Sequence, residues 1–421
     1  MPAKLKRSFI AFLLCTWLLL LIGPLSSWCQ DTNKTTTDTI GPKSREIPGE
    51  FIITFTNADT DAPIAFILSS LKGQNLVNES TKEKASGYLK AIFPYLKNLN
   101  RNDVKYIGPK NMVLHLDSAA YRQIKTDPHF KSVKPNIMVL RPYGVDFKPY
   151  QSPPDGEKPH QVVGWGVRSV VRSIRQDIQL RNKVWVIDSG IDKDHEDINV
   201  DKNLSRSLID NVPYFKVDGY MDGHGTHVAG IIGAKNNDVG IVGVAPGITI
   251  VALKVVQDGI LPDYNAYLRA LDVVFDEGQP GDVVNISIQN TPGYQEEIDD
   301  IIKIGQKGIF VVLAAGNDHV DINSSAVYPA VIAGKNIYSV SSCDSLDKFS
   351  VFSNFGQLSL AYIAPGAHIY SCLPGNSYGF ADGTSMAAPH AAGLLALLRA
   401  ISTGSKILCP YDHKMYALAH E

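Results

Sequence analysis

At 421 residues, with 44% hydrophobic and 19% charged side chains, the chain carries enough apolar material for about two or three packed domains, which excludes general disorder. A formal net charge of -2, from 40 basic and 42 acidic residues spread along the chain, offers no basic stripe for nucleic acid and no acidic tail. Partners are therefore expected at local sites.

The amino terminus, "MPAKLKRSFIAFLLCTWLLLLIGPLSSWCQ", sets Lys4, Lys6 and Arg7 ahead of an apolar run from Phe9 to Ile22, closed by Gly23 and Pro24. Basic, then apolar, then small and polar is the order of a secretory signal, expected over residues 1–29 with cleavage after Ser27 or Cys29. The alternative is a membrane tether, but the run is shorter than the ~20 apolar residues that span a bilayer. Cys343, Cys372 and Cys409 remain in the body, enough for one disulfide whose pair the sequence leaves open. Asn33, Asn78, Asn203 and Asn323 open Asn-x-Ser/Thr sequons, so glycosylation is expected if the chain enters a eukaryotic secretory route.

Residues 30–50, rich in Thr, Asp, Asn and Pro, read as a flexible lead-in. In residues 51–142, "EFIITFT" alternates like a strand and residues 80–99 carry apolar side chains at helical spacing. "NMVLHL" is a strand, "DSAAYRQIKTD" a short helix capped by Asp117 or Ser118, and "NIMVLRP" a last strand. A small α+β sandwich is expected. Residues 143–160, dense in Pro, Gly and charge, form an exposed, cleavable linker. Over residues 161–400 apolar strands such as "KVWVID", "TIVALKVV", "DVVNISI" and "IFVVLAAG" alternate with helical stretches. That pattern predicts an α/β domain with a mainly parallel sheet covered by helices on both faces, its chemistry at the carboxyl ends of the strands. Residues 401–421 are a short tail.

Three stretches put reactive side chains at such ends. Asp188 in "VWVIDSGID" is either a turn former or a buried carboxylate that orients an imidazole. His224 in "DGHGTHVAGIIG" is flanked by glycines that let backbone approach closely. With His227 it also suggests a metal pair, although no carboxylate or cysteine at zinc spacing completes that set. Ser385 in "DGTSMAAPH" is either a helix cap or a nucleophile at a helix start, where N–H groups stabilise an oxyanion.

Together "VIDSGID", "DGHGTHVAGIIG", "VGVAPG", "NISI", "LAAGN", "FSNFG", "APG" and "GTSMAAPH" resemble the subtilisin-type serine proteases, over about residues 161–399 and in that family's Asp, His, Ser order. The resemblance implies a doubly wound, mainly parallel sheet. It makes Ser385 the nucleophile, His224 the general base and then acid, Asp188 the orienting carboxylate and Asn317 the side-chain donor of the oxyanion hole. Substrate peptide is expected to pair with Ser287, Ile288 and Gln289 and with an opposite edge near Gly259, while Ala315 and Gly316 wall the primary pocket. Here the chain departs from the family: Gln289 replaces a usual glycine, and Pro262 removes an N–H from the opposite edge. The resemblance also implies a calcium site from the side chains of Gln161, Asp197 and Asn237 and the carbonyls of Lys235, Val239 and Ile241, a hard-cation set; a tight metal-free loop is the alternative.

Residues 51–140 resemble the inhibitor-type propeptide of these enzymes, which covers the cleft, assists folding and is cut away by the enzyme itself, here between Arg141 and His160. The expectation is a monomeric, secreted, self-processing endopeptidase that hydrolyses polypeptide bonds through an acyl-enzyme, with no cofactor in catalysis. The alternatives are a non-catalytic peptide-binding protein on a protease scaffold and a membrane-tethered protease. The tail, "KILCPYDHKMYALAHE", is shorter than the closing helix and hairpin usual in the family, so either it caps the core differently or the chain is an incomplete product.

Overall fold

In the computed structural model, which describes residues 46–56, 62–71, 79–107, 111–137, 148–149, 160–177, 180–217, 223–257, 263–290, 293–356, 360–402 and 404–421, the chain enters through β1 (Glu46–Phe55). Helices α1 (Ala62–Leu71) and α2 (Glu79–Ile92) follow, then β2 (Val104–Ile107), β3 (Asn111–His115), α3 (Ser118–Ile124) and β4 (Phe130–Ile137). The strands pair antiparallel in the order β2-β3-β1-β4, and Ile53, Leu89, Leu114 and Ile124 are buried in the core between sheet and helices. Asp117 is the cap of α3, accepting from the N–H groups of Ala119 and Ala120. Three expectations are corrected. The helix expected over 80–99 ends at Ile92 and gives way to short 3-10 turns, β4 starts earlier than "NIMVLRP", and α1 and β2 were not foreseen.

After β5 (Lys148–Pro149) and α4 (Trp165–Val170), the second half alternates strands and helices. Its elements are β6 (Lys183–Asp188), β7 (Arg206–Ser207), α5 (His224–Gly233), β8 (Thr249–Lys254), α6 (Tyr264–Glu277), β9 (Val283–Ile286), α7 (Gln295–Gln306) and β10 (Phe310–Ala314). They continue with α8 (Ile322–Ser325), β11 (Ile337–Cys343), β12 (Leu360–Pro365), β13 (Ile369–Leu373), β14 (Ser377–Ala381) and α9 (Thr384–Leu398). Among the described residues seven strands form one all-parallel sheet in the order β12-β11-β10-β9-β6-β8-β7. Both faces are buried, which explains the near-continuous Val/Ile/Leu runs. Val184 and Val186 of β6 face a core with α5 and α9, while Trp185 and Ile187 face one with α6 and α7. Strand order reverses about β6, so the crevice of this α/β fold opens at the carboxyl ends of β6 and β9.

The antiparallel sheet of the first half rests on the amino ends of α6 and α7. Ile52 and Val113 join their core, and Asn136 donates to Asp263, the cap of α6, at 2.8 Å. Glu296, in the first turn of α7, accepts from Thr54 at 3.1 Å, Ser132 at 2.8 Å and Lys134 at 2.7 Å. Burial pushes the Glu296 carboxyl up, but Lys134, its own backbone amide and Ser132 together hold it below the ordinary value.

The tail forms a hairpin of β15 (Lys406–Leu408) and β16 (Met415–Ala417) rather than a closing helix. Ile407, Tyr416 and Leu418 close a small core with Ile322, Phe349 and Ile363, and the Ala419 N–H donates to the Ile363 carbonyl of edge strand β12 at 2.9 Å. Cys343, Cys372 and Cys409 are buried free thiols, so no disulfide forms among them here, contrary to the allowance for one. Asn203 lies exposed in a turn and Asn323 is half-buried. The signal segment, the lead-in up to residue 45, Asn33, Asn78, Gly259, Pro262 and nearly all of the linker lie outside the described residues. Within those residues no helix is long and apolar enough to cross a membrane.

Candidate active site

Asp188 ends β6 and His224 begins α5, so a strand end and a helix start bring them together. His224 Nδ1 lies 2.8 Å and 2.9 Å from the two carboxylate oxygens, with the side chains 1% and 3% exposed. An acceptor-only carboxylate fixes the proton on Nδ1 and leaves Nε2, on the far side of the ring from Asp188, as the basic nitrogen. The Ser189 N–H donates to the same carboxylate at 2.6 Å. Gly225 permits this approach: a Cβ there would stand 2.2 Å from the Gly190 carbonyl oxygen. His227 is buried separately, its Nε2 3.2 Å from the Gly379 carbonyl, and its pKa is pushed down to about 3 by burial and by His224. No cluster of three metal-capable side chains exists among the described residues.

Ser385 is the second residue of α9, which packs against α5. It is not the cap. Gly383 holds that position without a side-chain bond, and Ser385 Oγ is buried with no hydrogen-bond partner among the described residues. The capping oxygen comes from elsewhere: Asn317, just beyond β10, accepts from the Thr384 N–H at 2.8 Å and the Thr384 hydroxyl at 3.0 Å through Oδ1. With Oδ1 turned to α9, the amide's N–H groups project from its opposite end. Thr384 Oγ1 in turn accepts from the Gly316 N–H at 3.0 Å. Such an arrangement activates a hydroxyl through an oriented imidazole and offers amide donors to a developing oxyanion.

Ser287, Ile288 and Gln289 continue from β9, all buried, and the Ser287 hydroxyl donates to the Ser385 carbonyl at 3.3 Å. Ala315 and Gly316 follow β10 beside them. Asn354 braces that loop, donating to the Ala315 carbonyl at 2.9 Å and accepting from the N–H groups of Asp318 and Val320 at 3.0 Å. Thr384 and Asn354, inside "GTSMAAPH" and "FSNFG", and Asp318 join the site although no sequence pattern gives them a role.

The oxygen-rich loop is gathered as well. Gln161 Nε2 lies 3.0 Å from the Lys235 carbonyl and 3.4 Å from Asn237 Oδ1, and Asn237 Nδ2 lies 2.8 Å from Asp197. Val239 and Ile241 touch the cluster through their N–H groups, at 3.2 Å from Asn237 and 3.2 Å from Asp197. Burial pushes the Asp197 carboxyl up, against hydrogen bonds from Asn237, Tyr378 and Ile241. A buried carboxylate with amide and carbonyl oxygens is the kind of set a hard cation takes. Here, however, the Asn237 amide, the Ile241 N–H and the Tyr378 hydroxyl donate to that carboxylate, and Val239 and Ile241 present N–H groups rather than the expected carbonyls, as in the tight-loop alternative.

A parallel α/β sheet carrying an Asp–His pair, a helix-start serine and an oriented amide at its strand ends defines a hydrolase scaffold of the serine type. The chain belongs to the subtilase family, whose model matches residues 181–414. It is 36% identical over 231 residues to Subtilisin-like protease 2 of Plasmodium falciparum, covering 52% of this chain and 17% of that one. With Subtilisin E of Bacillus subtilis the identity is 38% over 221 residues, 51% of this chain and 55% of the relative. The match thus spans about half the length of the bacterial relative and under a fifth of the parasite one. A solved cold adapted subtilisin-like serine proteinase is 30% identical, with a TM-score of 0.44, over 55% of this chain and 83% of that one.

Proposed function

We propose that this chain is a secreted serine endopeptidase that cleaves polypeptides and processes its own front segment. The observation that carries the reading is the Asp188–His224 pair at 2.8 Å, together with an Asn317 amide oriented by Thr384 and a buried Ser385 hydroxyl, without a hydrogen-bond partner among the described residues, at the start of the helix that packs on the His224 helix. Ser385 Oγ attacks the scissile carbonyl carbon while His224 Nε2 takes its proton, and Asp188 stabilises the imidazolium. The carbonyl oxygen, now an oxyanion, receives hydrogen bonds from Asn317 Nδ2 and the Ser385 N–H. On collapse the C–N bond breaks, His224 returns the proton to the leaving amine, and an acyl-enzyme remains. Water, deprotonated by His224, then releases the acid and restores Ser385.

The front α+β sheet acts in this reading as an inhibitor held in place by Glu296 and Asp263, and its removal follows cleavage in the linker. The apolar run behind Lys4, Lys6 and Arg7 directs secretion. Asp197, Gln161, Asn237 and the carbonyls of Lys235, Val239 and Ile241 would hold calcium, which supplies structural charge to the loop and no chemistry to the reaction.

Ser385→Ala tests the reading: the variant is expected to accumulate as full-length protein while the parent loses its front segment. Equal processing of both would remove self-cleavage from the account.

A further inference from the structure

The geometry points to a short, polar primary pocket in which Gln289, bolted in place by Asp318, selects substrates whose acylating residue is small or medium-sized and carries a neutral hydrogen-bond donor, such as serine or asparagine. This rests on the endopeptidase reading above.

A carbonyl placed between Ser385 Oγ and the Asn317 amide sends the side chain of its own residue toward the elements that flank those two groups. One is Ser287, whose hydroxyl touches the Ser385 carbonyl, with Gln289 two residues on. The other is Gly316, immediately before Asn317. The Gln289 side chain reaches from the first wall to the second: a Cβ on Gly316, whose φ is +97°, would stand 2.6 Å from Gln289 Oε1 and 2.4 Å from Asn354 Nδ2. Gly316 has no side chain, and Gln289 occupies the space beside it. A long apolar side chain thus meets an amide where a glycine at position 289 would leave room.

Polarity follows from the partner. Gln289 Nε2 lies 2.6 Å from Asp318 Oδ2. A carboxylate only accepts, so the amide must turn its NH2 group to Asp318, which leaves Oε1 facing Gly316. Gln289 is 4% exposed, and Oε1 is buried with no hydrogen-bond partner among the described residues. An unmet buried acceptor favours whatever brings it a donor and disfavours what does not, and the Asp318 charge nearby turns acidic side chains away. Gln289 is thus the discriminating group and Asp318 a positioning residue.

The test uses the full-length protein after processing and a peptide coumarin-amide series differing only in the acylating residue: Ser, Asn, Ala, Leu, Phe or Glu. The parent is expected to show kcat/KM for Ser and Asn about tenfold or more above Leu, Phe and Glu. Gln289→Gly should reverse the order, raising Leu and Phe relative to Ser by about tenfold to a hundredfold. Gln289→Leu, which keeps the bulk and removes the acceptor, should erase the preference of Ser over Ala. These are ratios within one enzyme, so a loss of folded protein does not change them. A parent that prefers Leu or Phe, or a Gln289→Gly variant with the parent's order, overturns the proposal. Titration of Ser385 with a fluorophosphonate separates the two levels of failure. Labelled enzyme with the wrong order refutes the selectivity alone, whereas no labelling and no turnover on any peptide refutes the endopeptidase reading with it.

Discussion

In the proposed mechanism, Thr384→Val isolates the part of oxyanion stabilisation that would come from holding Asn317 still. Valine keeps the β-branched volume at a fully buried position and deletes one hydroxyl. Asn317 Oδ1 retains the Thr384 N–H at 2.8 Å and loses the hydroxyl donor at 3.0 Å. A neutral hydrogen bond contributes about 1 kcal/mol net, so the correctly turned amide is disfavoured by about fivefold. Loss of the whole donor, as measured in subtilisin, costs about a hundred- to thousandfold and sets the ceiling. We therefore expect kcat to fall about fivefold with KM unchanged, because the lost interaction matters only as the oxyanion develops. The Gly316 N–H loses its acceptor in the same variant, which should cost about 1–3 kcal/mol of stability. The assay is kcat and KM on a peptide amide, corrected by active-site titration, for Thr384→Val, Asn317→Ala and the double variant. In the Asn317→Ala background Thr384→Val should leave kcat unchanged; the same fivefold loss there would show that Thr384 does not act through Asn317.

Docking of the front sheet should carry an acid-sensitive component through Glu296. Its carboxyl is held below the ordinary value when docked, so its contribution is full above the ordinary carboxylate pKa of about 4 and is lost as pH falls through the lowered one. Burial raises Asp263, which works in the opposite sense, so the measurement is a difference: acid-promoted recovery of activity after cleavage should be weaker in Glu296→Gln than in the parent, and identical pH profiles would refute it. Tyr416→Ala, removing a ring 2% exposed that packs on Phe349 at 5.6 Å, should cost about 3–5 kcal/mol in denaturant unfolding, and a loss below about 1 kcal/mol would deny the tail its packing role. Calcium at about a hundred times its Kd should add about 2.7 kcal/mol of stability, and Asp197→Asn should abolish the calcium-dependent difference in Tm seen against a chelator; a parent indifferent to calcium would refute the site.

The parallel domain was legible because strands buried on both faces read as continuous apolar runs, and "KVWVID" became β6 with the expected bounds. Asp188 and His224 were legible for a different reason: each has structural uses alone, but with Ser385 they stand in motifs and in an Asp, His, Ser order that match one known family. Thr384 was not, because its partner Asn317 lies 67 residues away and only the fold joins them. The tail hairpin escaped too: strands of three residues are too short to show a period, and they form because Ile407, Tyr416 and Leu418 find a core built by distant elements. In the front domain, α1 reads "APIAFILSSL", an apolar stretch with little polar contrast to mark its helical period.

The bond from the Ala419 N–H to Ile363 has a consequence for the molecule in company. A parallel sheet ends in strands whose spare backbone groups can template the addition of another chain and, from there, aggregation. In the seven-stranded sheet one flank is shielded by the tail and the other ends in β7, only two residues long. For the endopeptidase proposed above, extended chains are thus discouraged along the flanks of the main sheet, and strand addition is left to the crevice at the strand ends.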